Sequence, residues 1–479
     1  MSASVRHVGA SVLEELPGDL PRTVLAVSDL HLGEGLDRET RRHCRRENFF
    51  GDAVFKALLA KNDPEATWLV LNGDTFDFVR ITAKPGSERD WKLWAQMLKD
   101  IGAPRSVDEL RGMCRGEHPY GLGTQDYESV WKLLAVRRGH PVFFRALQQW
   151  VLRGGTILFL KGNHDLELFW PAVRLAIRVL IRAHAAPAAR RVHFRQRGFH
   201  LRNLYFEHGH RFERTTAVHG EARLGDRRRL RLPFGSLVNR YVINKLEGIE
   251  LFFANIKPLK RLLKSLLRRH PLKSLRIGLP ALRFLPRAVR AYGTRVWEAA
   301  VCVGFPVVWL AALAAVVVKV CREASIYGYV SRGGVALIAL ILLIPVLVPV
   351  VWMTLRKRRY PAGEDESAAG VWKTLTNKHE QREFERQYGV VGHTHVADVQ
   401  VLRPLDGQPP PPGAEIWYVN TGTWAPRFEE KRPDLMGRVV HSVVRFQLVG
   451  KEYRHECFEW TPPGAVYTPA VLFEPTCGT

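Results

Sequence analysis

GNHD, residues 162–165, follows the apolar run Thr156-Ile157-Leu158-Phe159-Leu160 with only Lys161 between. A run of this kind, bounded by turn residues, predicts a buried strand. Glycine, amide, imidazole and carboxylate in a row would make an ordinary turn if they stood alone. They do not stand alone. Thr23 to Ser28 reads as a first strand and ends in Asp29-Leu30-His31. Trp68 to Asn72 reads as a second and ends in Gly73-Asp74, and Tyr205-Phe206 is followed by Glu207-His208-Gly209-His210. Gly389-Val390-Val391 is followed by Gly392-His393-Thr394-His395. Five strand ends thus carry the side chains that bind metal ions.

Spacing sharpens the reading. Residues i and i+2 of an extended chain point the same way. Asp29 with His31, and His393 with His395, are therefore each expected to grip one ion from one side. The adjacent glycines allow close backbone approach. No cysteine lies in the set, so a thiolate zinc site is not indicated. The six cysteines (Cys44, Cys114, Cys302, Cys321, Cys457 and Cys477) are scattered and read as free thiols.

Between the blocks the pattern alternates. Helices are expected over 38–60, 141–152, 166–184 and 372–387, with a further one in DWKLWAQMLKD. Residues 80–130 otherwise read as irregular, and Trp91 and Trp94 there are candidates for a substrate lid or for core. Two short strands are expected over 192–206 around Gly198, and further strands at 388–391, 396–402, 416–419 and 441–448. Strands alternating with helices and then a strand-rich end predict a layered α/β fold.

The net charge is +24, and it is local. Residues 212–360 carry 27 Lys and Arg against 7 Asp and Glu, which leaves the remainder close to neutral. Within that segment, 299–318 and 333–355 are free of charge, and each is long enough to span a bilayer as a helix. Basic residues flank both outer ends, so the positive-inside rule places both flanks in the cytoplasm. Lys257 to Arg295 holds 12 basic residues and no acidic one, and LKRLLKSLLRR reads as a basic amphipathic helix on anionic lipid. The N-terminus lacks the apolar core of a secretory signal. A nucleic-acid partner is not expected, because the charge is tied to the hydrophobic runs.

The five blocks together resemble the calcineurin-like metallophosphoesterases, whose pattern is D-x-H, G-D, G-N-H-D/E, H and G-H-x-H. Asn420 to Trp424, NTGTW, is similar to the Asn-x-Gly segment that follows the last block in that family. The resemblance implies a β-sandwich flanked by helices, here interrupted by the membrane hairpin. It divides the chain into a first half (22–211), an inserted basic segment (212–385), a second half (386–460) and a tail (461–479). It implies one metal held by Asp29, His31, Asp74 and His395, and another by Asp74, Asn163, His208 and His393. It further implies Mn²⁺, with Fe or Zn²⁺ as alternatives, and hydrolysis of a phosphoester or pyrophosphate. His164 is then left to assist the phosphoryl group, with Asp165 orienting its ring, while Gly162 makes the turn. His210 is expected to support the ligands from behind or to be structural, rather than to ligate. The SDLHLG opening is similar to UDP-2,3-diacylglucosamine hydrolases, which commonly carry Arg at the position of His164, have HGD where this chain has HGH, and lack the hairpin. A lipid-linked substrate, a soluble nucleotide or phosphoprotein, and a non-catalytic membrane scaffold are the three functional readings.

Overall fold

The computed structural model describes residues 20–37, 40, 42–114, 120–213, 215–218, 221–223, 228–247, 252, 255–257, 364–376, 386–402, 415–429, 437 and 439–459. The chain divides into two compact units, Met1–Ile277 with Ser367–Thr479, and Gly278–Glu366. Nearly all described residues belong to the first. The charge-free runs at 299–318 and 333–355 lie outside the described residues, as does the basic stretch after Lys257. Among the described residues no helix is long and apolar enough to cross a membrane.

Among the described residues the strands are, in chain order, β1 (Thr23–Val27), β2 (Thr67–Asn72), β3 (Thr156–Leu160), β4 (Val192–Arg195), β5 (Phe199–Leu201), β6 (Leu204–Phe206), β7 (Ile256–Lys257), β8 (Arg386–Val391), β9 (Asp398–Val401), β10 (Glu415–Asn420), β11 (Phe428–Glu429), β12 (Ser442–Val449) and β13 (Glu452–Glu459). The first sheet has the order β13-β12-β1-β2-β3-β4, with β1 to β4 parallel. The second has the order β5-β6-β8-β10-β9, with β6, β8 and β10 parallel. The short pair β7 and β11 stands apart from both.

Alternation along the strands builds the layers. In β1, Val24 and Ala26 join Tyr388, Val390 and Phe206 in a core between the two sheets. Leu25 and Val27 face the other way, into a larger core with the helices α1 (Asp52–Ala60), α4 (Asp126–Gly139) and α5 (Pro141–Leu152). On the outer face of the second sheet, Tyr205, Val391 and Tyr418 pack on Val371 and Leu375 of the helix Glu364–Thr376. The result is two mixed sheets between helical layers, an α/β architecture as the pattern predicts.

Several elements differ from their expected bounds, for identifiable reasons. The helix expected over 38–60 forms only from Asp52, because the preceding loop folds around a buried carboxylate. Glu47 accepts from the backbone N–H groups of Gly33, Gly35, Asn48 and Phe49 at 2.5–3.2 Å, and those of Asn48 and Phe49 are ones the expected helix would have used. Residues 80–130 are more regular than their polarity suggests. They hold α2 (Glu88–Asp100) and α3 (Val107–Met113), whose N-termini are fixed by capping boxes at Ser87 and Ser106. Trp94 is fully buried there and donates to Tyr127 O, so it is core. The helix expected over 166–184 is split into a 3₁₀ turn, Leu166–Phe169, and α6 (Pro171–Leu180) by Pro171 at its first position. The pair of strands expected around Gly198 is three, because the chain leaves the first sheet after β4 and enters the second at β5. The helix expected over 372–387 is described over Glu364–Thr376, residues 377–385 lie outside the described residues, and Gln387 lies in β8. β13 has no counterpart in the pattern reading; it returns from β12 through a tight turn at Gly450, where φ is +63°.

Candidate metal centre

The loops after β1, β2, β3, β6, β8 and β10 converge. Parallel strands aligned in this way bring their carboxyl ends to one edge, where open α/β sheets bind ligands. Backbone bonds lace the first two loops together: Asp29 N to Gly73 O (3.1 Å), His31 N to Asp74 O (2.9 Å) and Asp77 N to Leu32 O (2.8 Å). The NTGTW segment supports the first loop from the other side. Thr423 Oγ1 and Trp424 N both donate to Asp29 O, and Asn420 Nδ2 reaches Gly392 O (3.0 Å) and Thr394 Oγ1 (2.8 Å).

Among the described residues three groups of side chains in this edge can hold a metal ion: Asp29, His31 and His395; Asp74, His208 and His393; and His31, Asp77 and His164. The first two are made of the residues expected as ligands. Asp74 Oδ2 lies 3.2 Å from His208 Nε2 and 3.9 Å from His31 Nε2, so its carboxylate faces both groups. Asp29 Oδ1 is 3.2 Å from His395 Nε2 and 3.8 Å from His31 Nε2. Asn163 is buried beside them. The site therefore brings together six of the seven residues expected as ligands, in the two groups the family resemblance implies, with Asn163 on the adjoining loop.

The donor set fits a cation on its own chemistry. Asn163 Oδ1 is buried without a hydrogen-bond partner, and Asp29 Oδ1 and His208 Nε2 are buried with only ion-pair contacts, the shortest to His395 and Asp74. An unsatisfied buried polar atom costs about 1–3 kcal/mol, and donor atoms left open at one spot suit a cation. The electrostatics agree. Burial alone would push His31 and His208 down, yet neighbouring carboxylates outweigh it and lift each to about 10. For His31 these are Asp29, Asp77 and Asp74; for His208 they are Asp74 and Asp29. Asp74 shows the converse: burial would raise it, but His208, His164 and His31 hold it well below the carboxylate range. The field at this spot favours positive charge.

The expectation that each D-x-H or H-x-H pair grips one ion from one side is only half right. Asp29 and His31 do share a group, but His393 and His395 separate, one into each. The chain here is not extended. Asp29, His31, Asp74, His393 and His395 all have φ between +48° and +71°. For non-glycine residues this conformation is costly and is found where function over-determines the backbone.

The glycine of GNHD also works differently from a turn residue. Its φ is not positive; what matters is the missing side chain. A Cβ at Gly162 would fall 2.0 Å from Asp74 Oδ1, and one at Gly392 would fall 2.3 Å from Asp29 Oδ2. Both ligands occupy space that any other residue would take.

Asp165 does not orient His164. Its Oδ1 accepts from Gly162 N (2.6 Å) and its Oδ2 from Thr75 N (2.9 Å), so it ties the β3 loop to the β2 loop. Burial and the charge of Asp74 raise its carboxyl to about 7. The orienting group is Asp77, which the motif reading passes over. Asp77 Oδ1 lies 2.9 Å from His164 Nδ1 and Oδ2 lies 3.2 Å from His31 Nδ1, with Arg80 Nε at 3.1 Å from Oδ2. One buried carboxylate thus fixes two imidazoles with Nε2 directed away from it. The signal was available: Asp77 stands three residues after Asp74, in GDTFD.

The described residues between Glu213 and Glu247, expected in the inserted segment, belong to the first unit and complete the site. Glu213 Oε2 and Thr216 Oγ1 each lie 3.1 Å from His393 Nε2, which leaves Nδ1 as the free ring nitrogen. Arg80 is neutralised by Glu247 at 2.9 Å. The unit that holds the site therefore extends well past residue 211. His210 is in neither ion group. It is buried against the rings of His208 and His393 with Nδ1 unpartnered, and burial followed by the charges of those two histidines keeps it well below its ordinary range. Cys44 and Cys114 are free thiols; the other four cysteines are outside the described side chains.

No protein-family model matches the sequence, and no curated protein is significantly similar to it.

Proposed function

We propose that the protein is a dinuclear-metal hydrolase of phosphoesters or pyrophosphates, of the calcineurin-like metallophosphoesterase type, anchored in the cytoplasmic membrane with its catalytic unit in the cytoplasm. The observation that carries this reading is the position of Asp74, within reach of His31 from one ion group and His208 from the other. A carboxylate shared in this way offsets repulsion between two cations, and mixed oxygen and imidazole donors suit Mn²⁺ first, then Fe or Zn²⁺. Asp29, His31, Asp74 and His395 would hold one ion; Asp74, Asn163, His208 and His393 would hold the other. When bound, such a pair polarises the phosphoryl oxygens and lowers the pKa of water.

The chain's own groups then divide the rest. His164 has its Nδ1 committed to Asp77, and its side chain is 12% exposed, at the open edge of the site. His395, at 32%, marks the same edge. A substrate entering there meets His164 Nε2, which supplies a proton to the departing oxygen. The phosphorus–oxygen bond to that group breaks, the oxygen of water joins phosphorus, and the proton of His164 is replaced from the attacking water. Asp77 holds the ring through the cycle, and Glu213 holds His393.

A lipid-linked phosphate is favoured as substrate by the basic amphipathic stretch and the two apolar runs in the same chain. The alternative is a soluble nucleotide or phosphoprotein met by a tethered enzyme. Detergent-purified protein with Mn²⁺ should be assayed on an aryl phosphodiester, an aryl monoester and a UDP-linked acyl sugar, with Asp74→Ala as control. Metal-dependent hydrolysis abolished by the substitution supports the reading. Hydrolysis indifferent to it, or none, rejects it. A preference for soluble nucleotides would move the choice to the tethered enzyme.

A further inference from the structure

The segment after the HGH doublet carries an amide into the open edge of the site. Three abutting helical pieces, Phe234–Val238, the π-helical Asn239–Ile243 and Asn244–Leu246, cross the loops that follow β2 and β3. Three of their polar side chains grip backbone. Ser236 Oγ donates to Asn163 O (3.0 Å), Arg240 Nη2 to Leu122 O (2.5 Å) and Asn244 Nδ2 to Val79 O (3.0 Å). Asn239 does something else. Its Nδ2 lies 3.4 Å from His164 Nε2.

The amide nitrogen, not the amide oxygen, is the end of Asn239 turned to the ring. His164 Nδ1 points at the Asp77 carboxylate, which leaves Nε2 as the ring atom that faces the site. An N–H to nitrogen contact at this length is weak. A phosphoryl or departing oxygen bears charge and is the better acceptor. Asn239 and His164 are both partly exposed, so such an oxygen can reach the point where their two nitrogens meet. Single π turns recur where a helix must aim a side chain at a functional site, and Asn239 opens this one.

We infer that Asn239 is a substrate-contacting residue, whose side-chain N–H donates to the substrate oxygen that docks at His164 Nε2. This rests on the phosphoesterase reading. It adds to the five strand-end blocks an uncharged donor from a segment that none of them includes.

The test uses full-length, Mn²⁺-loaded protein, with wild type compared with Asn239→Ala, Asn239→Asp and Asn244→Ala. The readouts are kcat/KM on an aryl phosphodiester, inorganic phosphate affinity by calorimetry, metal content and Tm. Asn239→Ala should weaken phosphate binding and kcat/KM by about 10- to 100-fold, the range for a hydrogen bond to a charged group. Asn239→Asp keeps the shape but turns an acceptor toward the phosphoryl oxygens, so it should lose more than Ala. Both should retain wild-type metal content and Tm. Asn244→Ala loosens the segment without touching His164; it should lower Tm and leave phosphate affinity within about twofold. Asp milder than Ala, the order expected of packing, would overturn the inference, as would unchanged phosphate affinity in both Asn239 variants. If wild type binds phosphate but hydrolyses no ester, the enzymatic reading fails, and the affinities still decide the role of Asn239.

Discussion

Asp77→Asn is a one-atom change with a directional consequence. The native carboxylate accepts from His164 Nδ1 through Oδ1 and from His31 Nδ1 through Oδ2, and Arg80 Nε is ion-paired with Oδ2 at 3.1 Å. An asparagine offers one oxygen and one NH₂. Arg80 can only donate and His31 shares the same oxygen, so the amide oxygen should keep the Oδ2 position. The NH₂ then faces His164 Nδ1 and forces that ring into the tautomer protonated on Nε2 alone, with no carboxylate to stabilise its charged form. His31 remains a competent ligand. The expected outcome is a loss in kcat of about 100-fold, within the 10²–10⁴ attributed to a positioned general acid, with metal content unchanged. Stability should fall by about 1–3 kcal/mol, the cost of a disturbed buried polar group, because Arg80 keeps Glu247. Steady-state hydrolysis of an aryl phosphodiester, elemental analysis and thermal unfolding read the three quantities. Activity within about twofold of wild type would refute the assignment of Asp77 as the group that orients His164. Loss of cations at unchanged kcat per bound metal would show that the oxygen had followed His164 instead.

Other outcomes follow from the same geometry. Gly162→Ala places a methyl 2.0 Å from Asp74 Oδ1 and should displace that ligand, lowering metal occupancy and destabilising the fold by about 1–3 kcal/mol, as overpacking does; metal content and denaturant unfolding check it. Metal-stripped protein should show a pH dependence of defined sign. His31 and His208 are raised from 6.5 to about 10, so their contribution to stability is whole below about pH 6.5 and is lost as pH rises toward 10. Tm of EDTA-treated protein should therefore fall across that window, and saturating Mn²⁺ should reverse the trend, since metal competes with those protons. A flat profile in the stripped protein would contradict the carboxylate field described here. Glu213→Gln removes the charge beside His393 Nε2 and should weaken the Asn163-side ion by about 10-fold, as loss of a carboxylate behind a ligating histidine does, readable by Mn²⁺ titration.

How much of this was legible in the residues varies by element. β1, β3 and α5 are readable almost to the residue, because apolar runs and the Pro141 start signal are local properties. The residues that meet at the site are readable too, since each block follows a strand that the sheet order must align. Three things were not. Asp77 lies outside the blocks, and its partnership with His31 depends on the parallel bridge of Leu32 with Phe76, a contact between loops 44 residues apart. The side chains of His393 and His395 part because both residues have positive φ, a tertiary demand that their spacing cannot express. The stretch 213–247 was hidden by its own charge. Its arginines suggest a membrane-facing segment, yet Arg240 is buried on the carbonyls of Gly121 and Leu122.

The most direct measurement counts cations. Wild-type protein loaded with Mn²⁺ and freed of excess should contain two ions per chain by elemental analysis, with the exchange-coupled resonance of a carboxylate-bridged pair, and Asp74→Ala should bind fewer than one. One ion per chain in the wild type, or two retained without Asp74, would contradict the account.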